Sequence, residues 1–228
     1  RPRNQRRRNR SRYKKMKLGE LRENYTQKGL RKNEADSNPF QQFEKWMIEA
    51  QEAGIIEPNA MTLATSGSGG EVSSRTVLLK GLHEETFQFF TNYHSKKARN
   101  LSENPNASLT FLWKELERQV NIRGTVEKTS REISEEYFHS RPYGSQIGAW
   151  VSEWQSGEVV SREQLIEREE DFRRKYPETS AVPLPGFWGG YQLKPTCIEF
   201  WQGRPSRLHD RICFELNDNQ WQISRLSP

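Results

Sequence analysis

MTLATSGSGGEVSSRTVLLK, residues 61–80, holds two β-rich runs around a glycine-rich reversal. Apart from Met61 and Arg75, the runs at 61–65 and 75–79 are built from Thr, Val, Leu and Ala, and Gly67, Gly69 and Gly70 supply the backbone freedom of a hairpin-type turn between them. Strands joined in this way lie antiparallel. The same strand character returns at 87–91, 107–113 and 118–125, and again at 189–193, 198–201, 211–216 and 221–226, with polar segments separating most of them. Many short strands with few helices between them predict an antiparallel barrel and not a βαβ sheet, so the fold class is mainly β with flanking helices (α+β).

The helices are few and well punctuated. Asn38 before Pro39 gives an N-cap and a favoured first helical residue, after which Phe40, Phe43, Met47 and Ala50 repeat at helical spacing up to Gly54. Thr129 and Glu132 have capping-box spacing for a second helix, which carries Ile133, Tyr137 and Phe138 on one side and stops at Ser140, Arg141 and Pro142. Ser161 with Gln164 repeats that signal before a charged helix that runs through Lys175 and is closed by Pro177. Its thin apolar face, Leu165, Ile166 and Phe172, predicts a surface position or a subunit contact.

Composition bounds the function. The chain has 228 residues, enough to bury a sizeable core, and 11% aromatic content supplies the bulk despite only 32% hydrophobic residues. Its net charge of +6 is unevenly placed, since ten Lys and Arg and no acid fall in residues 1–17, leaving the remainder net negative. We read 1–17 as a basic, disordered arm and 18–228 as a single domain. Such an arm is open to contact with nucleic acid or an anionic surface, or to being the remnant of a targeting leader; a solubilising extension is the preferred reading and nucleic acid not the expected partner, because no aromatic interleaving or binding motif accompanies the charge. No apolar run approaches the roughly 20 residues of a membrane span, and no signal-type segment follows the basic start. Cys197 and Cys213 lack metal-ligand spacing and read as buried free thiols of a reducing, cytoplasmic compartment, and no metal is expected.

The densest chemistry lies at 200–211, FWQGRPSRLHDR, which packs two aromatics, three arginines, a histidine and an aspartate around Gly203 and Pro205. So many donors are costly to bury unless something anionic is held there. A strand ending at Trp201 and resuming near Arg211, with alternating side chains, puts Arg207, His209 and Arg211 on one face and Leu208 and Asp210 on the other. The stretch is either a site or a solvated turn in which Asp210 pairs with an arginine. Elsewhere, cations stand at element margins: Arg75 and Lys80 in RTVLLK, Lys96 and Lys97 in a loop after Ser95, Arg118, and Arg141 with Ser145 nearby. No dinucleotide fingerprint, phosphate loop, nucleophile elbow or His/Cys cluster is present. Dispersed cations beside hydroxyls suit phosphorylated small molecules.

RTVLLK (75–80), FFTNYHSKK (89–97), ERQVNIRG (117–124), YFHSRPYGSQIGAWVS (137–152), FWGG (187–190) and FWQGRPSRLHDR, in this order, resemble the pyridoxine (pyridoxamine) 5′-phosphate oxidase family. The likeness runs from about residue 22 to 228 and includes the terminal ISRLSP. It implies that 18–228 is a single FMN-binding split β-barrel domain including a C-terminal substrate-binding and dimerisation region, and a homodimer with FMN at its interface. It also implies oxidation of pyridoxine or pyridoxamine 5′-phosphate to pyridoxal 5′-phosphate in vitamin B6 metabolism. O2 would be the electron acceptor, giving hydrogen peroxide, with ammonia also released from the amine. A non-oxidase flavin-binding split barrel is the alternative, one that would not need the substrate set named next.

By that resemblance FMN is held by Arg75, Thr76, Val77, Leu78, Phe90, Thr91, Lys96, Lys97, Gln119, Gln155, Ser156, Trp201 and Arg211. Lys80, Tyr137, Arg141 and Ser145 clamp the substrate phosphate, Arg207 and His209 lie over the pyridine at the reacting carbon, and Arg22 and Tyr25 belong to a covering lid. For Trp201 and Arg211 to face the flavin while Arg207 and His209 face the pyridine, the loop has to twist between His209 and Arg211. One departure stands out: Lys96 occupies a position where the family usually has Arg, which keeps the charge but loses the planar fork and predicts a looser hold on the FMN phosphate.

Overall fold

The computed structural model describes residues 25, 29–32, 34–158 and 161–228, so the expectations for the arm at 1–17 and for Arg22 lie outside the described residues. Helix α1 (Pro39–Glu52) starts where the Asn38 side chain accepts the N–H groups of Phe40 and Gln41. Its buried stripe is Phe40, Phe43, Trp46 and Ala50; Met47, expected there, is only half-buried beside it. The strands are β1 (Ala60–Ser66), β2 (Val72–Leu78), β3 (Gly81–His83), β4 (Thr86–Asn92), β5 (Asn106–Trp113), β6 (Arg118–Lys128), β7 (Trp188–Gln202), β8 (Asp210–Asn217) and β9 (Gln220–Leu226). All pair antiparallel in one nine-stranded sheet, ordered β2-β1-β5-β6-β7-β4-β3, with β8 and β9 continuing from β7.

The two strands expected at 189–193 and 198–201 are one strand of 15 residues. Pro195, which cannot donate to a ladder, suggests a break, but the chain absorbs it in a bulge where the register of β6 shifts between Arg123 and Gly124. A Cβ at Gly124 would lie 2.0 Å from the Lys194 carbonyl oxygen, so the close approach of the two backbones needs a glycine. The consequence organises the molecule. The first half of β7 pairs with β4 and its second half with β8, while β6 runs along the other side of both halves.

The sheet curls around Phe87, Phe89, Phe111, Trp113, Phe200 and Phe214, and α1 closes it. Phe43 meets Phe87 and Phe111 at ring-centroid distances of 5.1 and 5.0 Å, and Trp46 meets Phe200 at 5.2 Å. Arg118 fastens the helix from outside, with its guanidinium 4.4 Å from the Trp46 ring centroid and paired with Glu49.

More helices interrupt the strands than the two expected. Lys96 and Lys97 begin α2 (Lys96–Glu103) and are not in a loop; Ser95 caps it by accepting the Ala98 N–H. Helix α3 (Arg131–Ser140) is capped by Ser130, which accepts the Ile133 N–H, and not by Thr129. Thr129 is instead buried against Ser134, whose hydroxyl accepts the Gly190 N–H. Immediately after Pro142 a further helix, α4 (Tyr143–Val151), begins, and α5 (Arg162–Lys175) follows with no buried residue. Phe138, Ile147, Val151, Val182 and Trp188 make a second core beneath these helices. Among the described residues no helix is long and apolar enough to cross a membrane.

Gly190 is where the two cores meet, and a Cβ on it would fall 2.4 Å from Thr129 Oγ1 and 2.8 Å from the Phe90 ring. We expect Gly190→Ala to destabilise the fold by about 1–3 kcal/mol through overpacking. That corresponds to a melting temperature lower by roughly 2–4 °C per kcal/mol. Thermal denaturation followed by circular dichroism checks it, and an unchanged midpoint would show that α3 can shift away without cost.

Candidate functional site

A cavity of about 500 Å³ opens between β2, β4, α3 and α4. It is lined by Arg75, Thr76, Val77, Leu78, Lys80, Phe90, Thr91, Asn92, Lys97, Tyr137, Arg141, Pro142, Ser145, Gln155 and Trp188. All but Asn92, Pro142 and Trp188 belong to the set named from the sequence. Among the described residues that line it, four are cations and none is an acid.

Three of the four, Arg75, Lys97 and Arg141, are placed by neutral neighbours. Arg75 Nη1 donates to Leu63 O at 3.1 Å and to Thr65 Oγ1 at 2.8 Å, and Nη2 donates to Ser73 Oγ at 2.7 Å. Lys97, buried at the start of α2, donates to Thr91 Oγ1 at 3.1 Å, and Thr91 in turn donates to Gln155 Oε1 at 3.3 Å. Burial, with the Arg75 charge adding to it, pulls the Lys97 ammonium down to about 8. Burial also lowers the Arg141 guanidinium, whose Nη1 is buried and has no hydrogen-bond partner among the described residues. The guanidinium carbon of Arg141 stands 4.6 Å from the Trp188 ring centroid. Trp188 runs nearly parallel to Tyr137, which stacks on Phe90 at 3.9 Å.

Two of the lining residues missed in the sequence act through what they hold. Asn92 donates to the carbonyls of Ser152 and Glu153, at 2.6 and 2.9 Å, and so fixes the turn that delivers Gln155. Trp188 supplies the aromatic wall under Arg141. Its signal was the FWGG motif itself, which served as a family mark and not as a site.

The other expected site residues gather elsewhere. Gln119, Trp201 and Arg211 lie side by side across β6, β7 and β8. His209 sits 4.6 Å from the Trp201 ring and Tyr25 packs edge-on against both. None of Tyr25, Gln119, Trp201, Arg207, His209 and Arg211 lines the cavity. Ser156, with a positive φ of 68°, lines a neighbouring hollow that shares Gln155. Lys96 points outward to Glu71 at 3.1 Å, both well exposed.

The alternation expected for Arg207, His209 and Arg211 does not run through the loop. Ser206 and Arg207 take left-handed φ values of 57° and 60° within a short 3₁₀ turn, so the twist falls before His209 and not after it. His209 Nδ1 accepts the Arg204 N–H at 3.1 Å, which puts the proton of a neutral ring on Nε2. Asp210 does pair with arginines, Arg225 and Arg204, and also accepts the Leu30 N–H, tying the N-terminal segment to β8. Arg211 is held by Glu199, and this hydrogen bonding raises its pKa. Cys197 and Cys213 are buried free thiols 3.4 Å apart, as expected. With Glu215 they come within 4.8 Å of one another, but Arg123 donates to the Cys197 sulfur at 3.2 Å, a poor neighbour for a metal ion.

Residues 47–170 match the family model described as pyridoxamine 5′-phosphate oxidase, and residues 188–228 match the pyridoxine 5′-phosphate oxidase C-terminal dimerisation region. The chain belongs to the pyridoxamine 5′-phosphate oxidase family. It is 53% identical over 216 residues to the pyridoxine/pyridoxamine 5′-phosphate oxidase of Crocosphaera subtropica, covering 93% of this chain and 100% of that one. The Bordetella pertussis protein of the same name is 51% identical over 214 residues, again covering 93% and 100%. Among solved structures, PhzG from Burkholderia lata in complex with tetrahydrophenazine-1-carboxylic acid superposes with a TM-score of 0.81 at 30% identity, covering 86% of this chain and 95% of that one. An FMN-binding, pyridoxamine 5′-phosphate oxidase-related protein from Nostoc punctiforme gives 0.68 at 14% identity, covering 85% and 100%, and shares the fold. The curled sheet is the split barrel of these oxidases.

Proposed function

We propose that this chain oxidises pyridoxine 5′-phosphate or pyridoxamine 5′-phosphate to pyridoxal 5′-phosphate, with FMN as cofactor and O2 as electron acceptor. The observation that carries the reading is the cavity: four cations without an acid, one of them with a buried, partnerless guanidinium nitrogen. Such a site is incomplete until phosphate oxygens fill it. Arg75 and Lys97 suit the FMN phosphate, with Thr91 and Gln155 as neutral partners. Lys80, Tyr137, Arg141 and Ser145 suit the substrate phosphate, with Tyr137 presenting a ring face beside it.

FMN, when bound, supplies the two-electron acceptor that the side chains lack, and O2 removes those electrons as hydrogen peroxide. The chain's own part is to bind, orient and desolvate the reacting carbon. His209, whose Nδ1 accepts the Arg204 N–H, is suited to donate from Nε2 to the substrate's ring hydroxyl oxygen, and Arg207 to stabilise negative charge as the 4′ proton leaves. These residues lie near the far end of β7 from the cavity, so a second copy supplies them, together with Gln119, Trp201 and Arg211. The match of 188–228 to a dimerisation region supports a homodimer with two composite sites. Two free thiols so close together suit a reducing compartment such as the cytoplasm.

The test is spectroscopic. The purified protein should carry or take up FMN, and anaerobic pyridoxine 5′-phosphate should bleach its visible band, which returns with air. Arg207→Ala and His209→Ala should each slow bleaching by roughly 10²-fold or more while leaving FMN bound. A colourless protein that takes up no FMN would refute the reading, and variants that bleach at the full rate would remove both residues from the reacting centre.

A further inference from the structure

The cations read as flavin-binding are of two electrostatic kinds. Arg75 and Lys97 donate to neutral oxygens and pair with no carboxylate among the described residues. Arg211 does not. Its Nε donates to Glu199 Oε1 at 2.7 Å and its Nη2 to Glu199 Oε2 at 3.1 Å, a two-pronged pairing of guanidinium and carboxylate. Its Nη1 donates to the Ser227 carbonyl at 2.9 Å. Glu199 stands on β7 one diagonal step from Arg211 on β8, because Trp201 is the register partner of Arg211 and Glu199 that of Cys213. The Glu199 side chain is 16% exposed, and Arg211 engages both of its oxygens.

The donor count gives this pairing a purpose. A guanidinium has five N–H groups, and three are used by the described residues, one on each nitrogen. One N–H remains on Nη1 and one on Nη2, in an orientation fixed by the carboxylate. The carboxylate also cancels much of the arginine's field at a distance. What the pair offers a ligand is two aimed donors with little net charge. That suits a neutral acceptor, such as a ring carbonyl or ring nitrogen, better than a phosphate dianion, which Glu199 would repel. The neighbours agree: Gln119 and Trp201, in the same row across the sheet, are a neutral amide and an aromatic face.

We propose that Glu199 is the positioning residue of Arg211, neutralising and orienting it so that it addresses the flavin ring and not the flavin phosphate. The proposal rests on the reading of Arg211 as a cofactor-binding residue. It divides the site into a charged end, Arg75 and Lys97, for the phosphate, and a neutral end, Gln119, Trp201 and the Glu199–Arg211 pair, for the ring.

Riboflavin, which has the ring without the phosphate, separates the two ends. Full-length protein is titrated with FMN and with riboflavin, following the quenching of flavin fluorescence. Glu199→Gln should weaken both ligands by the same factor, about tenfold, and Glu199→Asp should restore part of the loss. Arg211→Ala should also weaken both equally, and adding Glu199→Gln to it should cost nothing further. Lys97→Met, as a contrast, should weaken FMN alone.

If Glu199→Gln changes FMN affinity and leaves riboflavin unaltered, Arg211 serves the phosphate and the proposal is overturned. It is equally overturned if Glu199→Gln is silent, or if its effect persists in the Arg211→Ala background, which would make Glu199 a support of the fold alone. An Arg211→Ala protein that binds both flavins normally would refute the cofactor role of Arg211 itself, a failure distinct from the others.

Discussion

In an Arg141→Ala protein, KM for pyridoxine 5′-phosphate should rise roughly 100-fold while kcat stays within a few-fold of the parent. The reason is the state of the guanidinium in the unliganded fold. Among the described residues Nη1 is buried without a partner, and no acid lines the cavity to compensate the charge. An unsatisfied buried donor costs about 1–3 kcal/mol, and a phosphate oxygen that settles it returns this cost on top of the attraction between opposite charges. A 100-fold change corresponds to about 2.7 kcal/mol, within that reach. The phosphate is remote from the bond being oxidised, so its contacts are common to ground and transition states, and their loss falls on KM and not on kcat. Arg141→Lys should sit between the two, since an ammonium keeps the charge but neither lies flat on Trp188 nor presents a fork. Steady-state kinetics under air-saturated conditions checks both variants, and a KM within threefold of the parent in Arg141→Ala would move the substrate phosphate elsewhere.

The same residue shows what a sequence can reveal and what it withholds. Arg141 was legible because a helix stop, Ser140 to Pro142, marks it, and because Tyr137 and Ser145 flank it within a long family motif. Its aromatic floor was not legible, since Trp188 arrives from 47 residues further along the chain, on a strand whose pairing with β4 no local pattern announces. Strand identities read well wherever β-branched and aromatic runs were bounded by turn residues. They failed at Pro195, where a bulge opposite Gly124 lets one strand continue through a residue that normally ends one. Helix starts failed by one residue at Ser130, because Thr129 and Ser130 both offer a hydroxyl and only burial decides that Thr129 packs inward.

Side-chain direction was the weaker part of the sequence reading. Alternation assumes extended backbone, and the left-handed pair Ser206 and Arg207 breaks it within the very loop it was applied to. Lys96 and Lys97 are adjacent and chemically alike, yet the first helical turn sends one to the surface beside Glu71 and the other into the cavity beside Thr91. This divergence reduces the weight of the departure at position 96. A lysine in place of arginine there alters an exposed pair, while the buried cation next to Arg75 is Lys97.

Lys97 gives the second large effect, and its sign follows from where its proton is least welcome. In the unliganded fold, burial and Arg75 hold its pKa at about 8, against 10.5 for an ordinary lysine. Between these values the unfolded chain binds more protons than the folded one, so the stability of the unliganded protein rises with pH from about 8 to 10.5. Ligand binding runs the other way. A phosphate dianion beside Lys97 favours the ammonium and raises its pKa, so above pH 8 FMN must bind together with a proton. FMN affinity should therefore be nearly flat from pH 7 to 7.5 and then fall by up to about tenfold per pH unit from 8 to 9.5. Riboflavin, lacking the phosphate, should show no such fall. Lys97→Met should weaken FMN at pH 7 by roughly 100-fold, the loss of a buried charge-assisted contact, and flatten the pH profile at the same time. Fluorescence titrations at several pH values decide the matter. If the slope survives in Lys97→Met, the titrating group lies elsewhere; if it disappears while the affinity at pH 7 is kept, Lys97 senses the phosphate without holding it.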